Sequence, residues 1–253
     1  MATILEIDRK LFKLKDLVDA NPSKYDVLRK KLHVSWIFHE NALEGVVLTE
    51  KEIVTALTSS HIIADTGMMA LFRSVKNHER TLEFVEAEAN KPKLDISLPY
   101  IKRIHSMLVE GDEDAAGGRY RQEMPLHRTY FHDIQQPKRI SYHMNKLVAR
   151  IASDDCQSMH PTRLAVFIHY SLMTIFPFTE QSGKVARLLM NLVLMHHGYM
   201  PAIIPSVDRQ IYYEALKTSE SALLLLCLDA LDNALASALR FFELSEAEIE
   251  GAI

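Results

Sequence analysis

Apolar residues recur at three- and four-residue intervals along nearly the whole chain, the spacing that lines one face of an α-helix. The pattern predicts helices over 4–20, 24–42, 49–60, 67–91, 97–110, 141–154, 161–175, 183–197, 208–219 and 221–242. Several boundaries have a chemical cause. Asn21-Pro22-Ser23 ends the first helix, because proline cannot donate within a helix interior. Thr49 with Glu52 three residues on forms a capping-box start for the third helix. Gly198 follows Met195-His196-His197, a helix stop with a polar or cationic last turn. No repeat, low-complexity tract or long linker interrupts the pattern.

One stretch, 111–140, departs from it. Gly117-Gly118 reads as a turn, Thr129-Tyr130-Phe131 carries β-forming side chains, and Asp133 and Pro137 punctuate the run. The expectation is an all-α fold, a helical bundle around one core, with a short β-hairpin flap. The most apolar stretch, Ala222 to Leu228, falls far short of the roughly 20 residues a membrane helix needs. It reads as a buried helix.

Composition narrows the picture. Hydrophobic residues make up 48% of the 253 positions and charged residues 25%, the balance of a soluble globular protein. Eight glycines and nine prolines are too few for a turn-dense β protein. A net charge of -4 argues against a general nucleic-acid binder. Cys156 and Cys227 lie far apart, so a reduced, cytoplasmic chain is expected. The first ten residues lack a signal-peptide core, and neither a membrane nor a nucleic acid is expected as partner.

The candidate chemistry lies in Phe176-Pro177-Phe178-Thr179-Glu180-Gln181-Ser182-Gly183-Lys184-Val185-Ala186-Arg187. A helix start binds anions through its unpaired N–H groups and its dipole. Gly183 opens a strongly apolar helix and Ser182 can cap it. Lys184 and Arg187 are three apart and share one side of the first turn. Glu180 is placed to hold a divalent metal against phosphate oxygens. The same residues also read as an ordinary loop and capped helix with surface charges. Two cations in a first helical turn oppose the dipole. That conflict points to an acidic partner, either a phosphate or a protein carboxylate.

These residues resemble the signature of the Fic family, H-P-F-x-[DE]-G-N-[GK]-R-x-x-R. Pro177, Phe178, Glu180, Gly183 and Arg187 match it; Phe176, Gln181, Ser182 and Lys184 depart from it. Similarities extend to Gly118-Arg119-Tyr120-Arg121, His169, Asn191, Gly198-Tyr199, Arg209 and Tyr212, over roughly 95–220. The resemblance divides one compact unit into an N-terminal helical region (1–95), a Fic-like core (96–220) and a C-terminal helix packed on it (221–253). Near the N-terminus, Glu40-Asn41-Ala42-Leu43-Glu44-Gly45 resembles the inhibitory motif [ST]-x-x-x-E-[GN], with Glu40 in place of serine or threonine. The resemblance implies that Glu44, followed by Gly45, pairs with Arg187. Read from spacing alone, Glu40 and Glu44 line a solvated helix face.

The family typically transfers AMP from ATP to a protein hydroxyl, with a histidine as base at the position of Phe176. General-base help is worth about 10² to 10⁴ in rate, and a benzyl group supplies none. The resemblance thus implies a degenerate, regulatory or binding protein, a pseudoenzyme. Glu180, Gln181, Ser182, Gly183, Lys184 and Arg187 would hold ATP or another nucleotide. Glu180 would take the Mg²⁺. An unknown protein partner, docked as an extended peptide on the flap edge, and a homodimer complete the expectation. Two alternatives stand beside it. An active transferase of AMP or another phosphate-linked group would need a non-standard base, such as His127 or His132 of the flap, or His39. A purely structural module would have a pocket filled by Phe176 and Gln181. A metal cluster of His39, Glu40, Glu44 and Glu180 has no tight ligand spacing to support it.

Overall fold

The computed structural model describes residues 2–59, 66–125 and 132–244. Among the described residues the chain forms eleven α-helices and no strand. They are α1 (Ile4–Ala20), α2 (Pro22–Leu43), α3 (Glu50–Thr58), α4 (Thr66–Ala89), α5 (Leu98–Leu108), α6 (Ile140–Ile151), α7 (Asp154–Gln157), α8 (Pro161–Ile175), α9 (Ser182–His196), α10 (Arg209–Thr218) and α11 (Glu220–Glu243). The periodicity therefore finds ten of them to within a few residues. Four-residue α7 is too short to carry a period. Thr49 and Glu52 form the reciprocal capping box at α3. Gly198 follows the end of α9 at φ +81°, a backbone conformation that glycine adopts without strain.

Helix α9 is the axis of the bundle. Every residue from Ser182 to Leu194 is buried, as expected of a helix apolar on all sides. α8 packs most extensively against it, with α4 and α5 on other faces. α1 packs on α11, so the two ends of the described chain meet, and α11 packs on both α8 and α10. Full burial of α9 has a consequence for its first two turns. Lys184 and Arg187 cannot reach water there, and each must find a partner inside.

Two expectations need correction. The flanks of the anticipated hairpin, 119–125 and 132–136, form no strand. Their backbone bonds instead go to the α8–α9 junction: Arg121 N–H donates to Pro177 at 2.9 Å and Gln135 N–H to Thr174 at 3.0 Å. The Arg121 guanidinium gathers the carbonyls of Phe176, Glu123 and Gln135 around itself. The tip, with His127 and Thr129-Tyr130-Phe131, lies outside the described residues. The second correction concerns α11. It runs 24 residues, and by length and composition alone it is long and apolar enough to cross a membrane. Only one side is covered. Leu223, Cys227, Leu231, Leu235 and Ala238 are buried, whereas Leu225 is exposed.

Arg121 ties the flap flanks to the junction with charge-assisted bonds, each worth about 1.5–3 kcal/mol when buried. Replacement by lysine keeps the charge but loses the planar fork. Arg121→Lys is expected to speed amide exchange in 119–125 and 132–136 more than in α9. Uniform acceleration across both would show that the contact is not local to the flap.

Candidate functional site

The last two turns of α2 lie against the first turn of α9. Glu40 and Glu44 are four apart, so both project from one face of α2. That face meets Arg187. Glu40 Oε2 accepts from Arg187 Nε at 2.7 Å and forms an ion pair with Nη2 at the same distance. Glu44 Oε1 accepts from Nη2 at 2.8 Å. Arg187 Nη1 donates to the Tyr212 hydroxyl at 3.1 Å. The hydroxyl in turn reaches His169 Nε2 at 2.9 Å, and His169 Nδ1 lies 3.2 Å from the Met190 sulfur. Burial holds His169 well below the usual histidine range, so it stays neutral and can accept the tyrosine proton. Burial alone would lower Arg187, but Glu40 and Glu44 outweigh it and keep the guanidinium charged.

Gly45 has a local reason to be glycine. It sits at φ +89°. Its N–H donates to Ala42 at 3.0 Å, and Val46 N–H donates to Asn41 at 2.9 Å. This is the paired-bond stop that ends helices at a left-handed residue. α2 thus terminates at Glu44 and leaves that carboxylate over the start of α9.

The second cation is also paired. Lys184 Nζ donates to Asn41 Oδ1 at 2.8 Å. Asn41 Nδ2 donates to the Ile37 carbonyl at 2.8 Å, which fixes the amide orientation. Burial pushes Lys184 down to about 8 against the pull of Glu44 and Glu40. Gly183 completes the contact. A Cβ there would stand 2.2 Å from Glu44 Oε1. The carboxylate therefore lies directly against the helix start, where an anion would sit.

The loop before α9 departs from expectation in one respect. Ser182 is the first helical residue rather than the cap, and Gln181 precedes it at φ +58° without a capping side-chain bond. The Ser182 hydroxyl instead accepts from Phe178 N–H at 2.9 Å and donates to the Phe178 carbonyl at 3.0 Å, closing the turn. Phe176 ends α8, also left-handed at φ +48°, with its ring buried. His132 packs edge-on against that ring, centroids 6.4 Å apart, and its Nε2 donates to the Met173 carbonyl at 2.8 Å. His105 stacks on Phe178 at 3.9 Å and accepts from Gly118 N–H at 2.9 Å. Burial pushes His105 down to about 4.

Glu180 and Gln181 face different spaces. Glu180 is exposed and borders a cavity of about 550 Å³ with Thr179, Tyr120, Arg121 and Glu123. Gln181 borders another of about 310 Å³ with Arg73, Asn77 and Gly111. Its buried Oε1 has no hydrogen-bond partner among the described residues. Glu180 is thus one accessible carboxylate beside the loop. That fits a hard cation held mainly by phosphate and water. The described residues form no group of three potential metal ligands. The idea of a cluster at His39, Glu40, Glu44 and Glu180 fails accordingly. Both α2 carboxylates are spent on Arg187, and His39 Nδ1 accepts from Ser206 N–H at 3.1 Å. His127 lies outside the described residues.

Spacing alone makes Glu40 and Glu44 a solvated face, and the structure overturns that. Arg187, Glu40, Asn41 and Lys184 form one buried network. The i,i+4 carboxylates opposite i,i+3 cations were the available signal. Tyr212 and His169 carried no signal beyond the family resemblance.

Two measurements follow. Gly183→Ala is expected to destabilise the protein by about 1–3 kcal/mol through overpacking, and by less than half as much in a Glu44→Ala background. An equal loss in both would mean that Glu44 is not the obstacle. The second uses pH. Below pH 6.5 the unfolded chain takes a proton that native His105 refuses until about pH 4. Stability therefore falls as pH drops through that window. The stability gap between wild type and His105→Gln is expected to narrow by about 2 kcal/mol from pH 7 to 4.5. A constant gap in urea titrations would contradict it.

Comparison with known proteins bears on the fold and the family. Residues 95–194 match the sequence model of the Fic/DOC family. The protein adenylyltransferase Fic of Nematostella vectensis is 31% identical over 193 residues, covering 74% of this chain and 43% of its own. That of Drosophila virilis is 28% identical over 222 residues, 85% of this chain and 43% of its own. The chain thus spans less than half the length of these curated relatives. A Fic-domain signalling protein from Bacteroides thetaiotaomicron superposes with a TM-score of 0.81 at 21% identity, over 94% of this chain and 96% of its own. A fragment of C. elegans Fic-1 gives 0.73 at 22%, over 93% and 71%. The helical fold, the α9 start and the sequence matches together place this chain in the Fic family.

Proposed function

We propose that the chain is a nucleotide-binding Fic protein that has lost efficient AMP transfer and works by binding or regulation. The observation that carries this reading is Phe176. It occupies the end of α8 with its ring buried. It offers no lone pair to take a hydroxyl proton, and that help is worth about 10² to 10⁴ in rate. Gln181 works in the same direction. A non-glycine residue at φ +58° holds the loop in a strained conformation. Its long side chain stands where backbone would need to approach phosphate closely.

Binding capacity rests on the start of α9. Its first amides have no acceptor within the helix, and Lys184 and Arg187 supply two cations. A triphosphate could replace the carboxylates of α2 charge for charge. Glu180 would hold Mg²⁺ together with the phosphates, and the metal would neutralise their charge. In this state Glu44 occupies the place of the anion, so affinity for free nucleotide is weak.

One observation favours a second reading, an active transferase. The His132 imidazole lies beside Phe176, close to where the family's base stands. Its Nε2 is committed as donor to Met173, so Nδ1 would take the proton.

Two assays decide. With 5 mM ATP and Mg²⁺, a Kd near 1 mM stabilises the fold by roughly 1 kcal/mol, a rise of about 2–4 °C. That rise is expected in wild type and lost in Lys184→Gln. No response would favour a collapsed structural module. With α-labelled ATP and candidate protein acceptors, no label transfer above a protein-free control is expected. Transfer that disappears in His132→Gln would overturn the proposal in favour of the second reading.

A further inference from the structure

The two carboxylates of α2 hold different parts of Arg187. A guanidinium binds a phosphate or carboxylate best along an edge, through two parallel N–H groups. One such edge is Nε with Nη2. Nε donates to Glu40 Oε2 at 2.7 Å, and Nη2 stands 2.7 Å from the same oxygen as an ion pair. The other edge is Nη1 with Nη2. There Glu44 Oε1 takes Nη2 at 2.8 Å and the Tyr212 hydroxyl takes Nη1 at 3.1 Å. Glu44 thus blocks half of one edge, and Glu40 alone blocks the whole of the other.

Burial separates them further. The Glu44 side chain is 13% exposed, at the rim, whereas that of Glu40 is 3% exposed. Trp36 Nε1 also donates to Glu40 Oε1 at 3.4 Å, so each carboxylate oxygen has a partner. One residue on, Asn41 holds Lys184 at 2.8 Å. With Glu44 removed, Arg187 would still be held along its side edge. A phosphate approaching it would meet the buried Glu40 charge, and like charges in one site repel.

We propose that Glu40 is a second latch on the anion site, independent of Glu44, so that freeing Glu44 alone leaves Arg187 unavailable to a nucleotide phosphate. This deepens the proposed function and rests on the reading of the site as nucleotide-binding. The regulatory consequence is specific. A partner that opens the site must lift the last two turns of α2 from α9. Displacing the rim glutamate is not enough.

The test compares wild type, Glu44→Ala, Glu40→Ser, and Glu40→Ser/Glu44→Ala, with Glu40→Gln as the isosteric replacement should serine impair folding. ATP with Mg²⁺ is titrated calorimetrically, and amide exchange is followed over 37–45. Glu44→Ala is expected to tighten ATP binding less than about threefold, and the double variant more than tenfold. Exchange in 37–45 is expected to quicken at least tenfold in the double variant relative to either single one. If Glu44→Ala alone matches the double variant in exchange, the second latch is refuted whatever ATP does. Should exchange follow the expected order while no variant binds ATP, the latch stands and the nucleotide reading falls. If ATP binds the double variant and Glu44→Ala equally well, Glu40 has no part in gating.

Discussion

A fully buried guanidinium cannot be left without counter-charge. Arg187 lies in the second turn of a helix covered on every side, and that single fact organises the region around it. Removing one partner of a buried ion pair typically costs about 3–5 kcal/mol, because the other charge stays behind. α2 meets the demand with two carboxylates, and α10 adds a hydroxyl. The position of α2 across the bundle is therefore coupled to the charge state of the α9 start. Any ligand that displaces α2 has to bring comparable negative charge with it.

Much of this architecture was legible in the residues. Helical periodicity marks ten of the eleven helices because each is long enough to show an apolar face. Short α7 is not, and its Ser153 cap bonded to Cys156 N–H is too small a signal to call a helix. β-forming side chains point to a hairpin in the flap, yet its described flanks bond to the α8–α9 junction. Arg121 decides that outcome, since one guanidinium collects carbonyls from three segments. A sequence pattern cannot show which distant carbonyls an arginine will reach. Apolar content misled in α11 for a different reason. Periodicity gives its extent as 221–242, but weighing only the densest apolar run, Ala222 to Leu228, understates how much of that helix is apolar.

The site was legible in its residue types and illegible in its pairing. Two cations at a helix start oppose the dipole, and that conflict required an acidic partner. Glu44 came from a resemblance. Spacing alone makes Glu40 solvated, because an i,i+4 pair of carboxylates usually lies on an exposed face. Its burial depends on the neighbouring helix being apolar all round, which is a tertiary fact. Asn41 and Lys184 follow the same logic. Neither has a spacing rule, and they meet because α2 and α9 cross at one place.

The Phe176 position and the carboxylates on Arg187 are physically separate. Phe176 sits at the end of α8, and its ring faces the flap side, where His132 packs against it. Arg187 faces α2, one helical turn into α9. A substitution at Phe176 would leave both carboxylates in place, and one at Glu40 would leave the α8 terminus in place. Under the proposed function, a non-titratable residue at 176 therefore gives no reason for the proposed latch to be lost. A binding protein still benefits from a site that opens only when α2 moves, because occupancy then reports the position of a helix. In the proposed arrangement a nucleotide would act less as a substrate than as a wedge, exchanging one set of negative charges on Arg187 for another.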